Sequence, residues 1–148
     1  MVGSMSRLAA GLVMCAAAVL LAGGCGSDQV RDISTQREFQ QLVLRSDVPV
    51  MVEFYKGACP TCVALEPMMG QLADEYRGRI RFVRFELMKP YFEVTSDAIK
   101  HQYDIQVFPT EVLFIGGKEA ARWPMNYDMD AYRSILNRVA RPPLRYSL

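Results

Sequence analysis

The sequence predicts an α/β domain built on a central mixed β-sheet flanked by helices on both faces. Three observations carry that expectation. Short β-branched and aromatic runs alternate with segments whose apolar residues recur at helical spacing. The last two such runs are separated only by Gly116-Gly117, a hairpin signal in a chain that otherwise alternates helix with strand. The composition, 51% hydrophobic and 22% charged over 148 residues, suits one globular domain and excludes a collagenous, low-complexity or charge-driven disordered chain. With 17 basic against 16 acidic residues, no field is available for gripping nucleic acid.

Each element has its own warrant. Ser34-Thr35-Gln36-Arg37-Glu38 offers a capping box, Thr35 as N-cap with Glu38 three residues on, and Phe39, Leu42 and Val43 continue a helix to about Arg45. Pro49 opens Val50-Met51-Val52-Glu53-Phe54-Tyr55, apolar and β-branched enough for a buried strand. A second helix from Cys62 to about Tyr76 places Leu65, Met68, Met69 and Leu72 on one face, with Pro67 inside it as a kink. Ile80 to Leu87 is the next strand, and Thr95 or Ser96 caps a short helix through Ile99 to Tyr103. Glu111 to Ile115 and Lys118 to Trp123 form the hairpin. Asp128 caps a last helix that turns Tyr132, Ile135, Leu136 and Val139 toward the core and stops at Pro142-Pro143.

The four cysteines fall in two pairs, Cys15 with Cys25 and Cys59 with Cys62, too few for a disulfide-dense scaffold. The first pair concerns the address. Leu8 to Ala22 carries no charge, follows Arg7, and ends on Gly23-Gly24 before Cys25, the pattern of a secretory signal. As a helix this run rises only about 22 Å, short of a hydrocarbon core of roughly 30 Å, so an uncleaved anchor is the second choice. Leu21-Ala22-Gly23-Gly24-Cys25 resembles the lipobox of bacterial lipoproteins, with Ala22 where leucine is commonest. That resemblance implies acylation of Cys25 as the first mature residue. An ordinary signal cleavage would instead leave Cys25 as a free thiol. The expected organisation is a signal over 1–24, a polar tether over 25–33, the domain over 34–141 and a tail over 142–148. Cys15 leaves with the signal, and so does Arg7, making the mature chain formally neutral. The expected location is the periplasmic side of a bacterial cell envelope, with membrane attachment supplied by the N-terminal lipid, in a compartment where disulfides persist.

The second pair concerns chemistry. Cys59-Pro60-Thr61-Cys62 sits where a buried strand passes through a short loop into a helix. Unpaired N–H groups at the helix start, the positive end of its dipole and the neighbouring thiol all favour a thiolate at Cys59. Cys62, about one turn further on, is placed to face the first sulfur. The spacing suits an attacking thiol and a resolving thiol. A zinc site competes poorly, since Cys59, Cys62, Cys25 and the lone His101 are the only soft ligands left in the mature chain. A structural disulfide also competes poorly, because so short a loop constrains the unfolded chain little. His101 is expected on the surface of a short helix.

These residues resemble the thioredoxin superfamily over roughly 28–140. Val52-Glu53-Phe54-Tyr55 followed by Cys59-Pro60-Thr61-Cys62, Leu65-Glu66-Pro67 and Leu72-Ala73-Asp74-Glu75-Tyr76 looks like that family's strand, active site and helix. Tyr103-Asp104-Ile105-Gln106-Val107-Phe108-Pro109-Thr110 resembles the segment that holds its cis-proline. The resemblance implies a thioredoxin fold, Cys59 as nucleophile, Cys62 as the thiol that resolves the mixed disulfide, and a cis bond before Pro109. It also implies a substrate groove contacted by Pro60, Thr61, Phe108 and Pro109, where an extended segment pairs with the backbone of Phe108. The Phe108 side chain then tunes the groove or else packs on the domain. Glu53, six residues before Cys59, matches the family's buried carboxylate and is expected to relay the Cys62 proton; a plain ion pair with Lys56 or Arg84 is its alternative. The family's tryptophan before the first cysteine is Ala58 here, its basic residue after the second is Val63, and the extra Tyr91-Phe92 pair is either core or substrate contact.

The expected function is therefore thiol-disulfide exchange with protein substrates in the cell envelope, leaning toward a reducing or maturation role. It needs no cofactor and no metal, because the cysteine pair carries the electrons. A membrane redox partner is required, and the protein is expected to act as a monomer. A non-catalytic binding module or chaperone using the Phe108-Pro109 groove is the alternative.

Overall fold

Thr35 caps the first helix as its sequence predicts. In the computed structural model, which describes residues 29–140, Thr35 Oγ1 accepts from the Glu38 N–H at 3.2 Å and the Glu38 carboxylate accepts from the Thr35 N–H at 3.1 Å. Helix α1 (Gln36–Phe39) continues as a π-helical turn over Gln40–Leu44 and ends at Arg45. Strand β2 (Val50–Lys56) leads into helix α2 (Pro60–Glu75), which holds Pro67 in its interior, and on to β3 (Arg81–Met88). Ser96, not Thr95, caps the short α3 (Asp97–Gln102), its Oγ accepting from the Ile99 N–H at 3.4 Å. The hairpin is β4 (Thr110–Ile115) with β5 (Lys118–Pro124), turned by Gly116 at φ 56° and Gly117 at φ 76°, values that match a primed two-residue turn. Asp128 caps α4 (Met129–Val139) through the Asp130 N–H at 2.9 Å.

One strand corrects the expected boundary. Val30–Ile33, assigned to the tether, is strand β1, paired in parallel with β3 in the register Val30↔Phe82 to Ile33↔Phe85. The pairing residues of β3 lie about fifty positions downstream, and Arg31-Asp32 break the apolar pattern, so the local sequence reads as polar chain. Ile33 is nevertheless 3% exposed and belongs to the core. The segment expected to be a signal, with Cys15, as well as Cys25 and the expected tail over 142–148, lie outside the described residues.

The sheet order is β1-β3-β2-β4-β5, with β1, β3 and β2 parallel, β4 antiparallel to β2 and β5 antiparallel to β4. This is the mixed sheet the sequence predicts, and successive residues of β2 feed two cores. Val50, Val52 and Phe54 face Phe39 and Val43 of the first helix and Ile99 of α3. The rings of Phe54, Phe85, Tyr103 and Phe114 all lie within 6.0 Å of the Phe39 ring. On the other face Met51 joins Leu65, Met69 and Leu72 of α2 with Tyr132 and Leu136 of α4. Among the described residues no helix is long and apolar enough to cross a membrane.

Candidate functional site

Central strand β2 delivers the chain to the start of α2 through three residues that have little conformational choice. Gly57 donates its N–H to the Met88 carbonyl at 2.7 Å, and a Cβ there would lie 2.4 Å from Pro90 Cδ, so only glycine fits. Ala58 takes φ 54°, and Cys59 returns to extended backbone as the N-cap of α2. Its sulfur therefore occupies the place of a capping side-chain oxygen, accepting from the Cys62 N–H at 3.2 Å. Pro60 occupies the first turn of the helix, where no N–H is missed.

Cys59 and Cys62 form a disulfide with Cα atoms 5.3 Å apart. Both are buried, Cys59 at 3% and Cys62 at 1% exposure, and both line a cavity of about 370 Å³ shared with Pro60, Val63, Glu66 and Arg84. Thr61, expected as a substrate contact, has a more direct role. Its Oγ1 lies 3.1 Å from Cys59 Sγ and 3.5 Å from the Phe108 carbonyl, so the hydroxyl links the first cysteine to the neighbouring loop.

That loop contains the Phe108-Pro109 bond, which is cis. Thr110 Oγ1 donates to the Val107 carbonyl at 2.8 Å, and the Met125 N–H donates to the Pro109 carbonyl at 2.9 Å. Met125 holds φ 47° and is half exposed. Tyr127 Oη donates to the Thr61 carbonyl at 3.1 Å, so the segment after β5 ties the cis-proline loop to the start of α2. The Phe108 ring is partly buried against the aromatic core, the second of the two places expected for it, while its carbonyl faces Thr61. His101 is exposed on α3, as expected, and Tyr91 is almost fully exposed beside Pro90, so it is not core.

Glu53 lies under α2, fully buried on the face of β2 that carries Met51. Its Oε2 accepts from Arg84 Nε at 2.9 Å, and Arg84 reaches Glu66 at 2.8 Å while stacking over the Tyr55 ring at 4.4 Å. Its Oε1 has no partner. Burial pushes the carboxyl up to about 7 even though the Arg84 charge pulls it down. Of the two expectations for Glu53 the ion pair is present, with Arg84 and not Lys56, and the carboxyl is nevertheless held above the usual carboxylate range by burial. Arg84 lines the cysteine cavity, so the buried ion pair borders the space that both cysteines line.

The sequence reading passed over a second buried carboxyl. Glu111 stands directly opposite Glu53 in the β2–β4 ladder, fully buried, with Oε2 2.7 Å from Tyr132 Oη and Oε1 unpartnered. Burial raises it to about 8. The sequence signal was weaker than for Glu53, since Glu111 follows Pro109-Thr110 at the head of an apolar run and does not stand inside one.

The thioredoxin family model matches residues 30–137, from the start of β1 to within α4. The chain belongs to the thioredoxin family. Among its relatives, Thioredoxin 1 of Nostoc sp. is 33% identical over 85 residues, which is 57% of this chain and 74% of that protein. Thioredoxin C-2 of Corynebacterium nephridii is 30% identical over 89 residues, 60% of this chain and 77% of that protein. The crystal structure of a Malassezia sympodialis thioredoxin shares the fold at TM-score 0.63 and 19% identity, covering 76% of this chain and 91% of that one. This thioredoxin-family protein is a thiol-disulfide oxidoreductase with Cys59 and Cys62 as its redox pair, acting on protein thiols and disulfides.

Proposed function

We propose that this protein is a lipid-anchored oxidoreductase of the bacterial cell envelope that reduces selected protein disulfides, with Cys59 attacking and Cys62 resolving. The observation that carries the division of labour is the capping position of Cys59. A thiolate there accepts from the Cys62 N–H and the Thr61 hydroxyl at the positive end of a sixteen-residue helix, whereas Cys62 has no such set of donors. In the forward reaction the Cys59 thiolate bonds to one substrate sulfur and expels the other. Cys62 then loses its proton to the Glu53 carboxylate, bonds to Cys59 and releases the second substrate thiolate, which takes up a proton. Two electrons pass to the substrate, and the enzyme ends as the Cys59–Cys62 disulfide. A membrane donor of electrons must restore the dithiol.

The reducing direction is supported by the two carboxyls beneath α2. Negative charge there opposes a second negative charge on sulfur, and a pair whose thiolate is only moderately stabilised is a weak oxidant. The envelope address is supported by the apolar run that ends in Gly23-Gly24-Cys25. Reduction of insulin disulfides by the wild type, with loss of turnover in both Cys59→Ser and Cys62→Ser, is the expected result; undiminished turnover in both variants would refute the redox assignment. The couple is expected near −270 mV, the value typical of thioredoxins, and a value about 100 mV higher would make it an oxidant. Incorporation of a palmitate analogue, abolished by Cys25→Ala, tests the anchor.

A further inference from the structure

The phenol of Tyr132 has one hydrogen and two acceptors. Its Oη lies 2.7 Å from Glu111 Oε2 and 2.8 Å from the Asn126 carbonyl. The carbonyl carries no hydrogen, so Tyr132 satisfies it by donating, and the contact to Glu111 is then complete only if the carboxyl is protonated and donates to Tyr132 Oη. Glu111 is accordingly a neutral acid in this arrangement.

Directly across the β2–β4 ladder, Glu53 presents the other carboxyl on the same face of the sheet. Opposed side chains of this kind have Cβ atoms roughly 5 Å apart. Each carboxyl keeps one fully buried oxygen with no partner, Glu53 Oε1 and Glu111 Oε1. Two carboxylates so close in a dry interior cannot both ionise freely, and their titrations belong to the pair.

We propose that Glu111 is a positioning residue for the exchange reaction: with Glu53 it forms one coupled acid pair that holds a single proton and a single negative charge beneath α2, and its own ionisation at higher pH makes Glu53 the stronger base toward the Cys62 proton. This rests on the exchange chemistry assigned to Cys59 and Cys62. The charges around the pair come from every packed element. Arg84 of β3 faces Glu53, Glu66 of α2 and Asp32 of β1 face Arg84, and Tyr132 of α4 faces Glu111, while β5 sets the uncharged Trp123 opposite Glu111. Arg84 favours the charged form of Glu53, and protonated Glu111 keeps its hydrogen while donating it in a hydrogen bond to Tyr132 Oη, so the charge resides on Glu53. The repulsion from Glu53 also holds Glu111 up, beyond the effect of burial.

The test is a carbon-13 NMR titration of the glutamate carboxyls in the full-length oxidised protein, compared in wild type, Glu111→Gln and Glu53→Gln. Glutamine at 111 can donate to Tyr132 as the acid does, so the fold and the Asn126 contact are kept. Coupling is reciprocal. Glu111 is expected to titrate lower in Glu53→Gln by on the order of one pH unit, and Glu53, which responds a second time in the wild type as Glu111 ionises, is expected to titrate in a single step in Glu111→Gln. The pH profile of insulin reduction in Glu111→Gln is expected to follow the wild type below the Glu111 midpoint and to depart from it above. A Glu111 midpoint unchanged in Glu53→Gln, with Glu53 titrating identically in wild type and Glu111→Gln, would reduce Glu111 to a structural hydrogen-bond partner and overturn the proposal. The titration does not depend on turnover, so loss of the redox assignment through the cysteine variants would register separately.

Discussion

Thr61 gives Cys59 a donor that neither the helix nor the second cysteine supplies. Its hydroxyl, 3.1 Å from the sulfur, makes a hydrogen bond to a charged acceptor when Cys59 is a thiolate. Such bonds are worth about 1.5–3 kcal/mol, and each pKa unit corresponds to about 1.4 kcal/mol. Thr61→Val, which keeps the shape and removes the donor, is therefore expected to raise the Cys59 thiol by about one unit. The measurement is the pH dependence of alkylation of the reduced protein, and an unshifted curve would mean that the hydroxyl serves only the Phe108 carbonyl. The tie matters for binding as well, because the same hydroxyl joins the cysteine turn to the cis-proline loop.

Element by element, the active site depends on β2 ending where α2 begins, and β2 is held in register by β3, whose outer edge is covered by β1. Ile33→Ala tests that last contribution. Ile33 is 3% exposed in the core, so the truncation is expected to cost about 2–4 kcal/mol in chemical denaturation, whereas a tether residue would cost almost nothing. The elements that were legible in the sequence have local causes: the Thr35 capping box, the Gly116-Gly117 turn, the Asp128 cap and the cysteine motif at a strand-to-helix junction. Strand β1 was not legible, because its hydrogen-bond partners on β3 lie far along the chain. The same cause hid the rest of the site. Thr61 meets Phe108 across 47 positions and Tyr127 meets Thr61 across 66, and no spacing rule connects such residues. For Phe108 the sequence left two places open, the groove or the domain, and the partly buried ring packs against the core cluster that contains Phe39.

At the scale of the whole molecule, a buried ion pair and a second buried acid beneath the catalytic helix make stability depend on pH. In the unfolded chain both glutamates ionise near 4.5, and in the fold near about 7 for Glu53 and about 8 for Glu111. A raised carboxyl contributes fully below its unfolded value and loses that contribution as pH rises through the window up to its folded value. The protein is thus expected to be less stable at about pH 8 than at about pH 5 by a few kcal/mol, and the double variant Glu53→Gln with Glu111→Gln to show a much flatter dependence in urea melts. An unchanged slope would mean that the two acids are ionised in the fold and compensated. The functional consequence runs the other way along the pH axis, since only the ionised form of Glu53 can accept the Cys62 proton.

The exchange chemistry rests finally on which sulfur holds the substrate. Reaction of reduced Cys62→Ser with a disulfide-bonded protein substrate, followed by proteolysis and mass spectrometry of the trapped species, reads this directly. A stable mixed disulfide through Cys59, with none formed by Cys59→Ser under the same conditions, is the expected result; a mixed disulfide trapped on Cys62 in Cys59→Ser, with Cys59 unreactive in the other variant, would contradict it.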